Sequence, residues 1–320
     1  MKIKLKAKPG EKKDGCSSCS KASSCSSKSA SGKPGAECGE AKDAKIQHQN
    51  AQISTALSKI RYKLFVMSGK GGVGKSSITV NLAAALAQKG YKVGILDVDL
   101  HGPNVPRMLG LSGNLEASGE GVVHPKAYSD NLCVVSTESL LKDPDQAVLW
   151  RGPMKTSAIR QFIGQVEWGD LDFLVIDSPP GTGDEHMTVL RTIPDALCVV
   201  VTTPQEISLA DVRKALNFLQ YAKANILGIV ENMSGLICPH CSKEIELFKK
   251  GGGEELAKKF GIDFLGAVPL DPLTVVAGDM GTPVVLMDTA SPVKAALMAL
   301  ADNIDQAVQS SLEAHATMRP

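Results

Sequence analysis

The chain has 320 residues, 43% of them hydrophobic, enough for the core of one large α/β domain with attachments. Its 35 basic and 34 acidic residues leave a formal charge of +1, so no global field draws it to nucleic acid or to an anionic membrane, and neither is expected as a partner. No run of about 18 apolar residues occurs, and the Lys-rich, then Ser-rich start lacks the apolar stretch of a secretory signal, which points to a soluble, cytoplasmic protein. In that reducing compartment the eight cysteines read as metal ligands or redox thiols, not as a disulfide framework.

Residues 1–60 form a first region. Lys, Ser, Gly and Ala dominate between Lys6 and Lys45, so this stretch cannot fold around a core of its own and is expected to be a flexible arm. A polar helix over about Asp43 to Ser58 then leads into the second region, residues 61–320. The arm carries Cys16, Cys19, Cys25 and Cys38. Four thiolates are the count that a 4Fe–4S cluster requires; zinc and an incidental Cys/Ser-rich tail are the other readings.

From Arg61 onward, apolar β-branched runs alternate with helical patterns. Strands are predicted at Leu64–Met67, Val93–Asp97, Leu132–Ser136, Phe173–Asp177, Leu197–Thr202, Ile226–Asn232 and Phe264–Val268. Helices are predicted at Lys75–Gln88, Lys155–Gln165, Glu185–Thr192, Ile207–Ala224, Gly253–Phe260 and Pro292–Glu313. Such near-continuous apolar strands suit a buried, mostly parallel sheet with helices on both faces, a doubly wound α/β fold whose ligands sit at the carboxyl ends of the strands.

Between the first strand and its helix stand Gly69, Lys70, Gly71, Gly72, Val73, Gly74, Lys75, Ser76 and Ser77. The string matches G-x-x-x-x-G-K-[ST]: glycines let backbone N–H groups converge on phosphates, Lys75 reaches the β and γ oxygens, and Ser76 offers a hydroxyl to Mg²⁺. The strand before and the helix after supply the context the motif needs, and the helix N-terminus favours an anion. Lys70 is a second lysine in a loop that needs only one; on its own it could be a solvated cation.

The second strand ends in Asp97-Val98-Asp99, where Asp97 would sit near Mg²⁺ and Asp99 could orient an attacking water; a solvated strand end is the plainer reading. Asp177 ends the fourth strand as a Walker B carboxylate, entering Ser178-Pro179-Pro180-Gly181-Thr182-Gly183. Asp184 and Glu185 serve equally well as acidic caps of the next helix. Asn232, after another apolar strand, is either a turn residue or a donor and acceptor for the edge of adenine.

Cys238-Pro239-His240-Cys241 is a C-x-x-C, open to a redox pair, half a zinc site or half a cluster site. In a homodimer two such pairs supply four thiolates, enough for a bridging 4Fe–4S cluster or a tetrahedral zinc. Cys133 and Cys198 lie inside strand patterns and are expected in the core.

Together these strings, with Trp150-Arg151-Gly152-Pro153-Met154, are similar to those of the Mrp/ApbC family of Fe–S cluster carriers, relatives of the eukaryotic cytosolic Fe–S scaffold ATPases, over roughly Arg61 to Ser311. The loop with its early lysine resembles the deviant Walker A of nitrogenase iron protein, MinD and ParA. What the resemblance implies is an ATP-controlled homodimer in which Lys70 reaches the partner's nucleotide. It also implies a slow ATPase that takes a 4Fe–4S cluster from a donor and passes it to apoproteins, and it gives most of the weight to Asn232 as the base-recognition residue. The arm is similar to the cysteine-bearing extension of the eukaryotic branch, which spaces three cysteines as Cys16, Cys19 and Cys25 are spaced. The upstream fourth cysteine of that branch is absent here, and Cys38 is the substitute.

Two other classes share the loop. A MinD- or ParA-like positioning ATPase with a structural zinc at the C-x-x-C needs a membrane or DNA handle, and the stretch from Ala301 to Pro320 holds a single basic residue, Arg319. A reductase like nitrogenase iron protein would draw its two cluster ligands from distant points of the chain, which the C-x-x-C does not match.

Overall fold

The computed structural model describes residues 36–100, 102–118, 122–140, 152–238, 241, 243–245 and 247–317. Cys16, Cys19 and Cys25 lie outside the described residues, as does the side chain of Cys38. The chain divides into two compact units, residues 1–44 and 45–320.

Helix α1 (Ala36–Ser58) starts earlier than the predicted Asp43, and its Ile53 is buried in the second unit. Strand β1 (Ile60–Ser68), α2 (Lys75–Gln88), β2 (Val93–Asp97), the short α3 (Val105–Met108), β3 (Glu116–Ala117), β4 (Val123–His124), β5 (Lys126–Ser129) and β6 (Leu132–Ser136) follow. Next come α4 (Gly152–Gln165), β7 (Leu171–Asp177), α5 (Asp184–Thr192), β8 (Leu197–Thr202), α6 (Glu206–Tyr221) and the long β9 (Asn225–Ile237). The chain closes with β10 (Glu244–Ile245), α7 (Gly252–Phe260), β11 (Phe264–Leu270), α8 (Pro272–Asp279) and α9 (Pro292–Thr317).

The main sheet runs β10-β9-β8-β1-β7-β2-β6-β5, with β11 pairing β9. Contacts of β1 with β7 and β8, of β2 with β6 and β7, and of β9 with β8 and β11 are parallel; only β5 and β10 run antiparallel, at the two ends of the order. The doubly wound, mostly parallel architecture is therefore as expected.

Strand side chains alternate between faces, and β1 divides the core accordingly. Leu64 and Val66 join a cluster with Ile78, Leu82 and Leu86 of α2 and with Leu297, Leu300 and Ile304 of α9. Phe65 and Met67 join the opposite cluster, with Ile159 and Ile163 of α4 and Val212 and Leu216 of α6. Each such side chain removed from water contributes about 1.5–3 kcal/mol. Burial on both faces holds the carboxyl ends of β1, β2, β7 and β8 in one row, and the loops that carry the chemistry leave from that row.

Boundaries moved where local chemistry outweighed periodicity. The helix expected from Lys155 begins at Gly152, because Pro153 fits a first helical turn, where its missing N–H costs nothing. Helix α6 stops at Tyr221, short of the expected Ala224, and Lys223 takes a left-handed φ of 54°. Cys198 is buried as expected, whereas Cys133 is only half-buried, on β6 beside the short β5 at the end of the sheet.

Candidate functional site

The loop after β1 opens onto a cavity of about 770 Å³. Its lining includes Lys70, Gly71, Gly72, Val73, Gly74, Lys75, Ser76 and Ser77, together with Asp99 and Asn232, so the structure brings these expected nucleotide residues around one space. Gly72 and Gly74 have φ of 80°, a left-handed conformation that glycine adopts without steric cost, and Gly74 caps α2. Gly69 does not line the cavity. A Cβ there would lie 2.5 Å from the backbone of Asp211 in α6, so this glycine permits close helix packing.

Asp177 organises the floor of the loop. Its Oδ1 accepts from Lys75 Nζ at 2.8 Å and from Thr79 Oγ1 at 2.8 Å, and its Oδ2 accepts from Ser76 Oγ at 2.6 Å. Lys75 and Asp177 form a buried ion pair, with side-chain exposures of 7% and 1%. Thr79 was not anticipated; its place one helical turn after Lys75, on the same face of α2, was the available signal.

Asp97 and Asp177 are register neighbours on β2 and β7. Asp97 is fully buried, accepting from the Asp99 N–H at 3.0 Å and from Ser136 Oγ at 3.0 Å. Burial, and then the nearby Asp177 carboxylate, push the Asp97 carboxyl well above its ordinary range. Asp99 reaches the cavity wall, and its Oδ1 accepts from the Gly102 N–H at 3.2 Å. Ser136, a partner of Asp97 supplied by the next strand, was also missed.

Asn232 donates from Nδ2 to the Val73 carbonyl at 2.9 Å, and a Cβ on Gly74 would come within 2.2 Å of that amide. Strand β9 therefore touches the loop directly. Further cavity wall comes from Arg107 and Met108 of α3 and from Thr274, Val275 and Gly278 of α8. The signal for α8 was Asp271-Pro272, an N-cap aspartate followed by proline at the first helical position; Asp271 Oδ1 accepts from the Leu273 N–H at 2.9 Å.

The N-cap of α5 is Gly183, and no side chain caps the helix. Asp184 and Glu185 occupy its first turn, and Glu185 pairs with Lys155 of α4 at 2.7 Å. His186 follows, 1% exposed, with Nδ1 accepting from the Gly183 N–H at 3.2 Å and its ring edge-on to Phe65 and Phe218. Burial lowers its pKa to about 4.

Cys238 and Cys241 stand elsewhere, where β9 ends and turns toward β10. Cys238 is half-buried, Cys241 is exposed, and neither is in a disulfide. The Cys238 N–H donates to the Lys243 carbonyl at 2.9 Å, which closes the turn. Among the described residues no group of three or more His, Cys, Asp or Glu side chains converges as a metal site.

A glycine loop between a central parallel strand and a helix, with its lysine and serine on the aspartate that ends the neighbouring strand, defines a P-loop NTPase. The chain matches the ParA, NUBPL iron-transfer P-loop NTPase family over residues 59–305, and it belongs to that family. It is 48% identical over 252 residues to an iron-sulfur cluster carrier protein of Methanocaldococcus jannaschii, covering 78% of this chain and 87% of that one. It is 46% identical over 261 residues to the human cytosolic Fe-S cluster assembly factor NUBP2, covering 80% and 96%. A solved nucleotide-binding protein of Archaeoglobus fulgidus in complex with ADP superposes with a TM-score of 0.64 at 40% identity, covering 72% of this chain and 91% of that one.

Proposed function

We propose that the protein is an ATP-dependent carrier that holds a 4Fe–4S cluster between two copies of the chain and delivers it to apoproteins in the cytoplasm. The observation that carries this reading is the pair Cys238 and Cys241, accessible thiols at a strand end in a chain of an iron-transfer NTPase family. One chain brings two thiolates to this turn, and two chains bring the four that a cluster takes. The names of the archaeal and human relatives support the same cargo. Cys16, Cys19, Cys25 and Cys38 form the proposed second cluster site, on the arm.

At the nucleotide, Lys75 and Ser76 are the residues that change partners. Both now rest on Asp177, and an incoming triphosphate offers Lys75 a stronger anion at the N-terminus of α2. The donor set of Ser76, Asp97 and Asp177 is all oxygen, which suits a hard cation. Burial beside Asp177 disfavours the Asp97 carboxylate, and a cation held between the two would favour its charged form. Mg²⁺ held there would neutralise phosphate charge. Asp99 orients the attacking water, Asn232 takes the base edge, and Lys70 at the rim reaches the partner's nucleotide. Hydrolysis is expected to be slow, because its product is a change in the dimer.

Anaerobic reconstitution of wild type and of a Cys238→Ala/Cys241→Ala variant, followed by transfer to an apo acceptor, tests the reading. Wild type should activate the acceptor and the variant should not. Binding of zinc alone, or transfer indifferent to the two cysteines, would refute it.

A further inference from the structure

Among the described residues, β9 is the strand that both walls the nucleotide cavity and leads into Cys238. From Asn225 to Glu231 it pairs in parallel with β8. Beyond that point its regularity breaks. Asn232 faces Val268 and Leu236 faces Leu270, so β9 spends more chain than β11 over the same interval and bulges at residues 233–235. Within the bulge Met233 has φ of 57° and Gly235 has φ of 75°. Glycine takes this conformation freely, whereas methionine keeps it only when its surroundings hold it there.

Those surroundings tie three places together. On the near side, the fully buried Glu231 accepts from the Ser234 hydroxyl at 2.6 Å and from the N–H groups of Gly251 at 2.9 Å and Gly253 at 2.6 Å. That pins both flanks of Met233 to the start of α7. Toward the phosphate loop, Asn232 holds the Val73 carbonyl, and a Cβ on Gly74 would lie 3.7 Å from Met233 Cε. On the far side, a Cβ on Gly235 would lie 2.9 Å from Glu244 Oε1, and the Cys238 N–H is bonded to Lys243, the residue before Glu244.

We propose that this bulge couples occupancy of the nucleotide cavity to the environment of Cys238, with Met233 as the residue that changes backbone state. Asn232 and Met233 both line the cavity, so a nucleotide that fills it meets them directly. Relaxation of Met233 toward the extended region removes its conformational penalty and re-aims the following strand, whose end carries the thiol. On this proposal Met233 switches between the left-handed and the extended arrangement, the two discrete states that coupling requires and contiguity alone does not provide. The meaning of the device rests on the carrier reading, but its operation does not.

The test uses the whole reduced, metal-free protein. Alkylation by N-ethylmaleimide is followed over time on the peptide containing Cys238 and Cys241, with and without saturating Mg-ADP or a slowly hydrolysed Mg-ATP analogue. In wild type the nucleotide is expected to change the labelling rate about fivefold or more. In Met233→Gly, where both backbone states are open without cost, the labelling response is expected to collapse at nucleotide concentrations that a fluorescent analogue shows to be saturating for that variant. Glu244→Ala, on the exposed β10 and away from the cavity, removes the carboxylate that lies beside Gly235 and pairs with Lys250, and should weaken the response too, even if Met233→Gly folds poorly. A wild-type rate indifferent to nucleotide, or an undiminished response in the variants that bind it, overturns the proposal. Flat labelling in a protein that still transfers cluster refutes the coupling alone; a nucleotide response in a protein that takes up no cluster refutes the carrier reading alone.

Discussion

Three residues show how burial sets the cost of change. Lys75 and Asp177 are partners in a closed interior, so Lys75→Ala strands a carboxylate and should cost about 3–5 kcal/mol in chemical denaturation. The same variant should lose the stabilisation that wild type gains from Mg-ADP, about 2.7 kcal/mol at a hundred times the Kd. Gly69→Ala places a methyl against the backbone of α6 and should cost about 3 kcal/mol, although this glycine touches no part of the cavity. His186 is neutral in the folded protein because burial drives its pKa from 6.5 to about 4, against the opposing pull of Glu185 and with a smaller push from Lys75. The unfolded chain takes up the proton first, so stability present above pH 6.5 is lost as pH falls toward 4, by on the order of 3 kcal/mol. Urea titrations between pH 4 and 7.5 should show that slope, and His186→Leu should flatten it.

At the scale of elements, the cysteines divide by where their strands lie. Burial pushes the Cys133 thiol up to about 11 and the Cys198 thiol up to about 12, so their thiolates at neutral pH are at least about a hundredfold scarcer than that of an ordinary thiol. Among the described cysteines, alkylation should therefore mark the peptide with Cys241 well before those two, as peptide mass spectrometry would show. The same contrast explains what could be read in advance. Strands β2, β6 and β8 and helix α2 had their bounds written in apolar periodicity, because the sheet interior tolerates only such residues. Strands β3, β4 and β10 have two residues each and β5 has four, too short for a run of apolar residues to announce them. The phosphate loop was legible because its chemistry is local. The partners of Asp177 and Asp97, Thr79 and Ser136, were not, because helix packing in the first case and strand register in the second bring them together from distant sequence. Nor did any pattern mark the bulge in β9, which is a mismatch between two strands.

At the scale of the whole molecule, the proposed symmetric pair of chains would give each half-built element a complement. Lys70 at the rim of the cavity and the two thiols at the end of β9 both fit use by a second copy. Removing nucleotide or exchanging Lys70→Ala should then weaken association of two chains without unfolding either, which sedimentation would register as a shift toward monomer. On the proposed reading, Cys238 and Cys241 share one cluster across two chains. Native mass spectrometry after anaerobic reconstitution, on protein carrying Cys16→Ser, Cys19→Ser, Cys25→Ser and Cys38→Ser, tests it most directly. A dimer with the added mass of one 4Fe–4S cluster is the predicted species. A monomer that retains its own cluster, or a dimer that holds zinc or no metal at all, would contradict it.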